Sequence, residues 1–267
     1  MTRAQQSSLI TSEGRNLFKI YWLEAKYEFL KSLRLPVFAL STILFPTLFY
    51  VFFGLTFGQG NFGPINVATY YLVSYGTFGV IGAALFGFGA GVAAERGQGW
   101  MRLKQASPMP PLAYFVAKIF LAAMFSTIIF LLLWVLGFLF GEVRLDFLQI
   151  VSLWGILVFG TLPFAAIGLA IGYSVGPNSA PAIVNLVYLP MAFASGLWIP
   201  IQALPQFIQN IAPFLAPYHL VQLALSVIGA DRGESTASHL MVLAIYTVIF
   251  LGIAVMLYRK DEGQTFG

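Results

Sequence analysis

The chain has 267 residues, of which 59% are hydrophobic and 9% charged, with no cysteine and a formal net charge of +4. Soluble domains carry about 25% charged residues, so water is not the principal solvent of this chain. Disulfides and thiolate metal sites are excluded, and the two histidines, His219 and His239, have no metal-ligand spacing.

The apolar runs are long and continuous and lack the alternation of a β-barrel, so the fold class expected is an all-α membrane protein. Residues 1–34 read as a cytosolic N-terminus, with 1–11 disordered and an amphipathic helix over Ser12–Leu33. Phe18, Tyr21, Trp22, Ala25, Phe29 and Leu33 share one face, flanked by Lys19, Glu24, Lys26, Glu28 and Lys31, which suits a helix lying in the membrane interface. The first apolar run lies too far behind polar residues, and is too long, to read as a cleaved signal peptide.

A six-span transmembrane domain is expected over 35–258. Its spans are Pro36–Phe57, Val67–Ala94, Leu112–Phe140, Phe147–Val175, Ala180–Ile199 and His239–Tyr258. Between the second and third lies Glu95–Pro111, reading ERGQGWMRLKQASPMPP, a charged and proline-rich loop. Lys118, near the start of the third span, is expected to snorkel to the headgroups. From Phe147 to Ala230 there is no charge, yet Pro200, Pro205, Pro213 and Pro217, with Gln202, Gln206, Gln209 and Asn210 among them, forbid one lipid-facing helix. Residues 200–230 therefore read as an extracellular re-entrant helical hairpin, and 259–267 as a cytosolic tail. Of the 14 Lys and Arg, only Arg144 and Arg232 fall on the side opposite the N-terminal segment, the 95–111 loop and the tail. The positive-inside rule then places both termini in the cytosol, in the cytoplasmic membrane. The charge distribution points to the lipid bilayer and not to nucleic acid.

The span interiors lack Asp, Glu, Lys, Arg and His, which counts against an ion-driven pump. No carboxylate pair, no serine with a nearby base and no G-x-x-x-x-G-K-[ST] occurs, so an enzyme is not expected and no cofactor site is read on this chain. Gly76, Gly79, Ala83, Gly87, Ala90 and Ala94 form a small-residue stripe on the second span, echoed by Gly168, Gly172 and Gly176 on the fourth. Such stripes let helix backbones approach, either as ordinary packing within one subunit or as an interface that moves in a transport cycle. Tyr70, Tyr71, Tyr75, Phe78, Tyr188 and Phe193 are candidates for lining an apolar or amphipathic substrate path. A membrane channel and a non-transport scaffold or sensor subunit are alternatives to an active transporter.

Glu95-Arg96, Gly97-x-Gly99-Trp100, Arg102-Leu103, Ser107-Pro108 and the downstream Lys118 resemble a signature of type-2 ATP-binding-cassette exporter permeases. The segment FASGLWIPIQALPQFIQNIAPFLAPYHL at 193–220 is similar to that family's small-Ser-Gly element followed by Leu-Pro and aromatic-Pro-Tyr. The resemblance covers nearly the whole chain. It implies a permease subunit of an exporter that moves a hydrophobic or amphipathic drug, lipid or glycan-lipid. It further implies a second permease copy, a homodimer or a heterodimer, and two copies of a separate ATPase subunit that carries ATP and Mg. Glu95, Arg96, Trp100, Arg102, Leu103, Ser107 and Pro108 would then form the coupling element that docks on the ATPase. Gly97 and Gly99 are poor helix formers, which shortens the expected coupling helix to Trp100–Ala106. Glu95 is expected at the cytosolic surface, with Arg96, Arg102, Lys104 or a base on the ATPase as its counter-charge. The first and fifth spans, with the hairpin, would line the subunit interface.

Overall fold

The computed structural model describes residues 17–58, 60–62, 65–106 and 109–263. The expected disordered stretch 1–11, Ser107, Pro108 and the last residues of the tail lie outside them. Helix α1 is Leu17–Leu33 and α2 is Pro36–Phe49, which continues as a π-helical stretch, Tyr50–Thr56. Pro46 lies inside α2; it lacks an N–H and crowds the preceding turn, which accounts for the loss of regular α geometry that follows. A two-stranded ribbon pairs β1 (Asn61–Phe62) with β2 (Ile65–Asn66) antiparallel. Asn66 then caps α3 (Val67–Gly97): its side chain accepts from the Ala68 N–H at 2.7 Å and donates to the Gly141 carbonyl at 2.9 Å.

After α3 come α4 (Trp100–Ala106), α5 (Pro111–Phe140), α6 (Phe147–Phe159) and α7 (Thr161–Ser174). The α6–α7 break falls at Gly160, two residues before the Leu162–Pro163 step, where the proline cannot donate to the preceding turn. Helix α8 is Ala180–Ala194, followed by α9 (Gln206–Ile211), α10 (Ala216–Ser226) and α11 (Thr236–Gly263). The proline-rich segment therefore folds as short helices, with 3-10 turns at Ile201–Ala203 and Ala212–Phe214.

Among the described residues five helical segments are long and apolar enough to cross a membrane: Phe38–Thr56, Val67–Gly97, Leu112–Phe140, Phe147–Ser174 and Thr236–Lys260. The segment expected as a fifth span forms a helix of only 15 residues. At 1.5 Å per residue it measures about 22 Å, short of the roughly 30 Å hydrocarbon core. The segment nevertheless runs alongside much of α3. Pro177 meets Gly97, Val184 meets Gly89, Tyr188 meets Phe78 and Trp198 meets Tyr75, so the chain runs antiparallel to α3. Pro190 lies inside the regular helix, which ends at Ala194 before the turn to Trp198.

α3 is the buried centre of the bundle, and its small residues explain why. A Cβ on Gly79 would lie 2.8 Å from Pro46, and one on Gly172 would lie 2.8 Å from the Phe88 carbonyl. The stripe thus packs α3 against α2, α5 and α7 within this chain. Gly87 has open space instead, so it takes no part in that packing.

The last turns of α11 and helix α1 gather at one end of the bundle. Tyr258 of α11 packs on Tyr173 of α7, with ring centroids 5.5 Å apart, and the Arg96 guanidinium lies 5.2 Å from the Tyr173 ring. α1 reaches the same end through Glu28 and Lys31, described next.

Candidate functional site

The site lies where α3 ends and the chain turns into α4. Gly99 makes that turn with φ +77°, a backbone conformation suited to glycine, and α4 follows from Trp100 to Ala106. On α4, Trp100 and Leu103 are three residues apart, on one face, and are 51% and 66% exposed. Arg102 belongs to the same helix, and its side chain lies outside the described residues, as do Ser107 and Pro108.

Glu95, at the start of this turn, does not face outward. It is 6% exposed and is held by groups from two other helices. Its Oε1 accepts from the Lys118 ammonium of α5 at 2.9 Å and from the Lys31 ammonium of α1, and its Oε2 accepts from the Tyr114 hydroxyl at 2.7 Å. Lys118 also donates to Glu28 at 2.5 Å, and Lys31 donates to Glu28 at 3.2 Å. Two carboxylates and two ammonium groups thus form a neutral, closed cluster. For Lys31, burial opposes the charge, but Glu95 and then Glu28 outweigh it and hold the ammonium above its ordinary value of 10.5.

Two sequence expectations do not hold at this site. Lys118 does not snorkel: its side chain is 3% exposed and its charge is neutralised inside the bundle. Among the described residues the counter-charges of Glu95 are Lys118 and Lys31, both from other helices. Helix α1 presents a largely polar line to the bundle. Ala25, Glu28 and Ser32 point inward, Trp22 and Phe29 pack edge-on against Phe120 and Phe125 of α5, and Phe18 stays exposed. The buried line is polar because Glu28 must meet Lys118. A lone acid at one helix end and lone bases at the same depth on neighbouring segments are the signal that could have revealed this cluster, since unpaired charge at that depth is too costly.

Arg96 turns the other way. Its guanidinium donates to the Gly172 carbonyl at 2.6 Å, near the C-terminal end of α7, and stacks over Tyr173. A cation there also faces the negative end of the α7 dipole. Adjacent residues Glu95 and Arg96 therefore fasten the end of α3 to α1 and α5 on one side and to α7 on the other. A rigid turn results, with an exposed apolar helix at its tip.

The path candidates also come together. Tyr71 stacks on Tyr75 with centroids 5.4 Å apart, Phe78 stacks on Tyr188 at 4.8 Å, and Tyr70 meets Tyr71 edge-on. Trp198 links them to Phe193 and to Phe49, which the sequence reading did not single out. Tyr70, Tyr75, Phe78 and Tyr188 are buried, and the Tyr188 hydroxyl donates to the Phe78 carbonyl at 2.7 Å. Within a single copy the cluster is packed, and its accessible edge is at Tyr71, Phe53 and Phe193.

A sequence model described as "ABC-2 type transporter" matches residues 20–229. The chain is also 26% identical over 237 residues to "Putative transport permease YvfS" of Bacillus subtilis (strain 168), an alignment that covers 88% of this chain and 95% of that protein.

Proposed function

The chain belongs to the ABC-2 type transporter family, and on that premise we propose that it is the membrane permease of an ATP-driven exporter for a hydrophobic or amphipathic compound. The observation that carries this reading is the exposed Trp100–Leu103 face on a short helix whose root is bolted to three other helices. An ATPase subunit docked on that face can push it. Because Glu95 and Arg96 fasten the turn to α1, α5 and α7, the push is passed on as a rigid-body shift of span ends. ATP and Mg reside on that separate subunit in this reading, and two ATPase copies serve two permease copies.

The membrane arrangement follows from the same features. The α8 path supplies a sixth crossing, so both chain ends share the cytosolic side with α4, in the cytoplasmic membrane. The positive-inside distribution supports this orientation. α1 lies along the cytosolic interface with Phe18 in the headgroup region, and 200–230 re-enters from the outer side. The second copy seats on the apolar face where α2 exposes Leu40, Leu44 and Leu48 and α8 exposes Leu186 and Leu189. The edge of the aromatic cluster at Tyr71 and Phe193 borders that face, which places the substrate path between the copies.

The test is Leu103→Glu together with Trp100→Ala, in the chain expressed with its ATPase. Both side chains are exposed, so the purified permease should keep its thermal stability. It should lose co-purification with the ATPase and substrate-stimulated hydrolysis. Retention of both activities by the double variant would refute the docking role. Passive conductance by the permease alone would favour the channel alternative.

A further inference from the structure

The chain has two histidines, and the fold brings them together. His219 is on α10 and His239 on the first turns of α11, at the end of the bundle away from α4. Both are buried, and their Nδ1 atoms are 2.9 Å apart. The other nitrogen of His219, Nε2, is 2.8 Å from the Pro213 carbonyl.

A carbonyl can only accept, so His219 Nε2 carries the hydrogen. His219 Nδ1 is then a lone pair, and His239 Nδ1 must carry the hydrogen between the rings. By elimination, His239 Nε2 is a lone pair. That atom is buried, has no hydrogen-bond partner among the described residues, and lies 3.7 Å from a Glu234 carboxylate oxygen. A buried lone pair facing the partly exposed Glu234 carboxylate is an unfavourable arrangement, and one proton reverses its sign.

The other charged and titratable groups around the pair are Asp231, Arg232 and Glu234 on the 231–235 loop and Tyr218 on α10. Glu234 accepts from the Tyr218 hydroxyl at 2.5 Å. Burial and the neighbouring Glu234 push the Tyr218 phenol above its usual range, so it stays a donor. Asp231 adds a second negative charge near His239, and Arg232 a positive one near Tyr218. The Arg232 N–H donates to the buried Gln222 side chain at 3.0 Å, which holds the loop against α10.

We propose that the His219–His239 pair is a single-proton binding site, loaded at His239 Nε2, and that the bound proton ties α11 to the 231–235 loop through Glu234. A second proton is excluded by geometry, because it would have to enter at His219 Nδ1 and set two N–H groups against each other at 2.9 Å. The loop, α10 and α11 then become one acid-tightened joint. In the orientation proposed above, this joint faces the outside and reads external pH.

The wild-type chain suits a direct test, since histidine labelled with 13C and 15N gives only two ring systems. The full chain in lipid nanodiscs would be titrated from about pH 8 to about pH 4 by solid-state NMR. At neutral pH one ring should be the Nε2–H tautomer and the other the Nδ1–H tautomer. On acidification one ring alone should become imidazolium. In Glu234→Gln the midpoint should fall by about one pH unit or more, the scale of a lost neighbouring opposite charge. Two rings titrating independently near the ordinary value of about 6.5 would overturn the proposal. So would two rings in the same tautomer, or a titration unaffected by Glu234→Gln. A folded protein with neither ring protonated at about pH 4 would overturn it equally.

Discussion

Lys118→Met isolates the electrostatics of the turn between α3 and α4. Methionine keeps an unbranched apolar stem of similar length and removes only the ammonium. In the wild type that ammonium contacts Glu28 at 2.5 Å and Glu95 at 2.9 Å, with its side chain 3% exposed. The variant leaves two buried carboxylates sharing Lys31 alone. Removing one partner of a buried pair costs about 3–5 kcal/mol, mainly as the uncompensated charge left behind. For a chain of this size, 1 kcal/mol moves the unfolding midpoint by roughly 2–4 °C, so the loss should be about 6–20 °C. Unfolding of the detergent-solubilised protein, followed by tryptophan fluorescence, would measure it. Adding Glu28→Gln should recover part of the loss, because Glu95 and Lys31 then match one to one. The coupling expected is about 1–3 kcal/mol, in the range found for directly contacting groups. A Lys118→Met midpoint within about 2 °C of wild type would refute the closed-cluster reasoning, as would a double variant no better than the sum of the single ones.

Arg96→Gln should cost about 1.5–3 kcal/mol through loss of the charge-assisted bond to Gly172, measurable by the same unfolding assay. Gly172→Val should destabilise by about 1–3 kcal/mol or more, since the added carbons meet the backbone carbonyls of Phe88 and Gly89, whereas Gly87→Ala should be within about 1 kcal/mol of wild type. Single cysteines in this cysteine-free chain should label from outside at Glu142 and Ser235 and not at Gln98 or Lys260; outside labelling of Lys260 would exclude six crossings. The folded-state pKa of Lys31 is raised above 10.5, so its ion pairs are fully present below that value and are lost as pH rises through the folded value. Their contribution to the unfolding midpoint should therefore be constant from about pH 7 to about pH 9 and decline only in stronger alkali.

Much of the architecture is legible along the chain because it depends on local properties. Apolar length and proline position mark the helices, and Gly97 and Gly99 confine the short helix after α3 to Trp100–Ala106, the bounds the structure has. The Lys and Arg distribution supports a sidedness without any knowledge of packing. The exposed Trp100 and Leu103 could likewise be picked out from their place in a charged loop between two spans. Tertiary structure alone decided which charges meet. Glu28, Glu95 and Lys118 lie on three separate helices, and helical periodicity assigns a side chain to a face of its own helix without naming the helix opposite. For the same reason His219 and His239 read as two isolated residues, although they touch in the fold. The line that α1 turns inward was likewise not legible, because the aromatic pattern marks one side of the helix only, while Glu28 turns toward Lys118 near the start of α5. Burying opposite charges against one another is a property of pairs of segments, and only the assembled bundle defines the pairs.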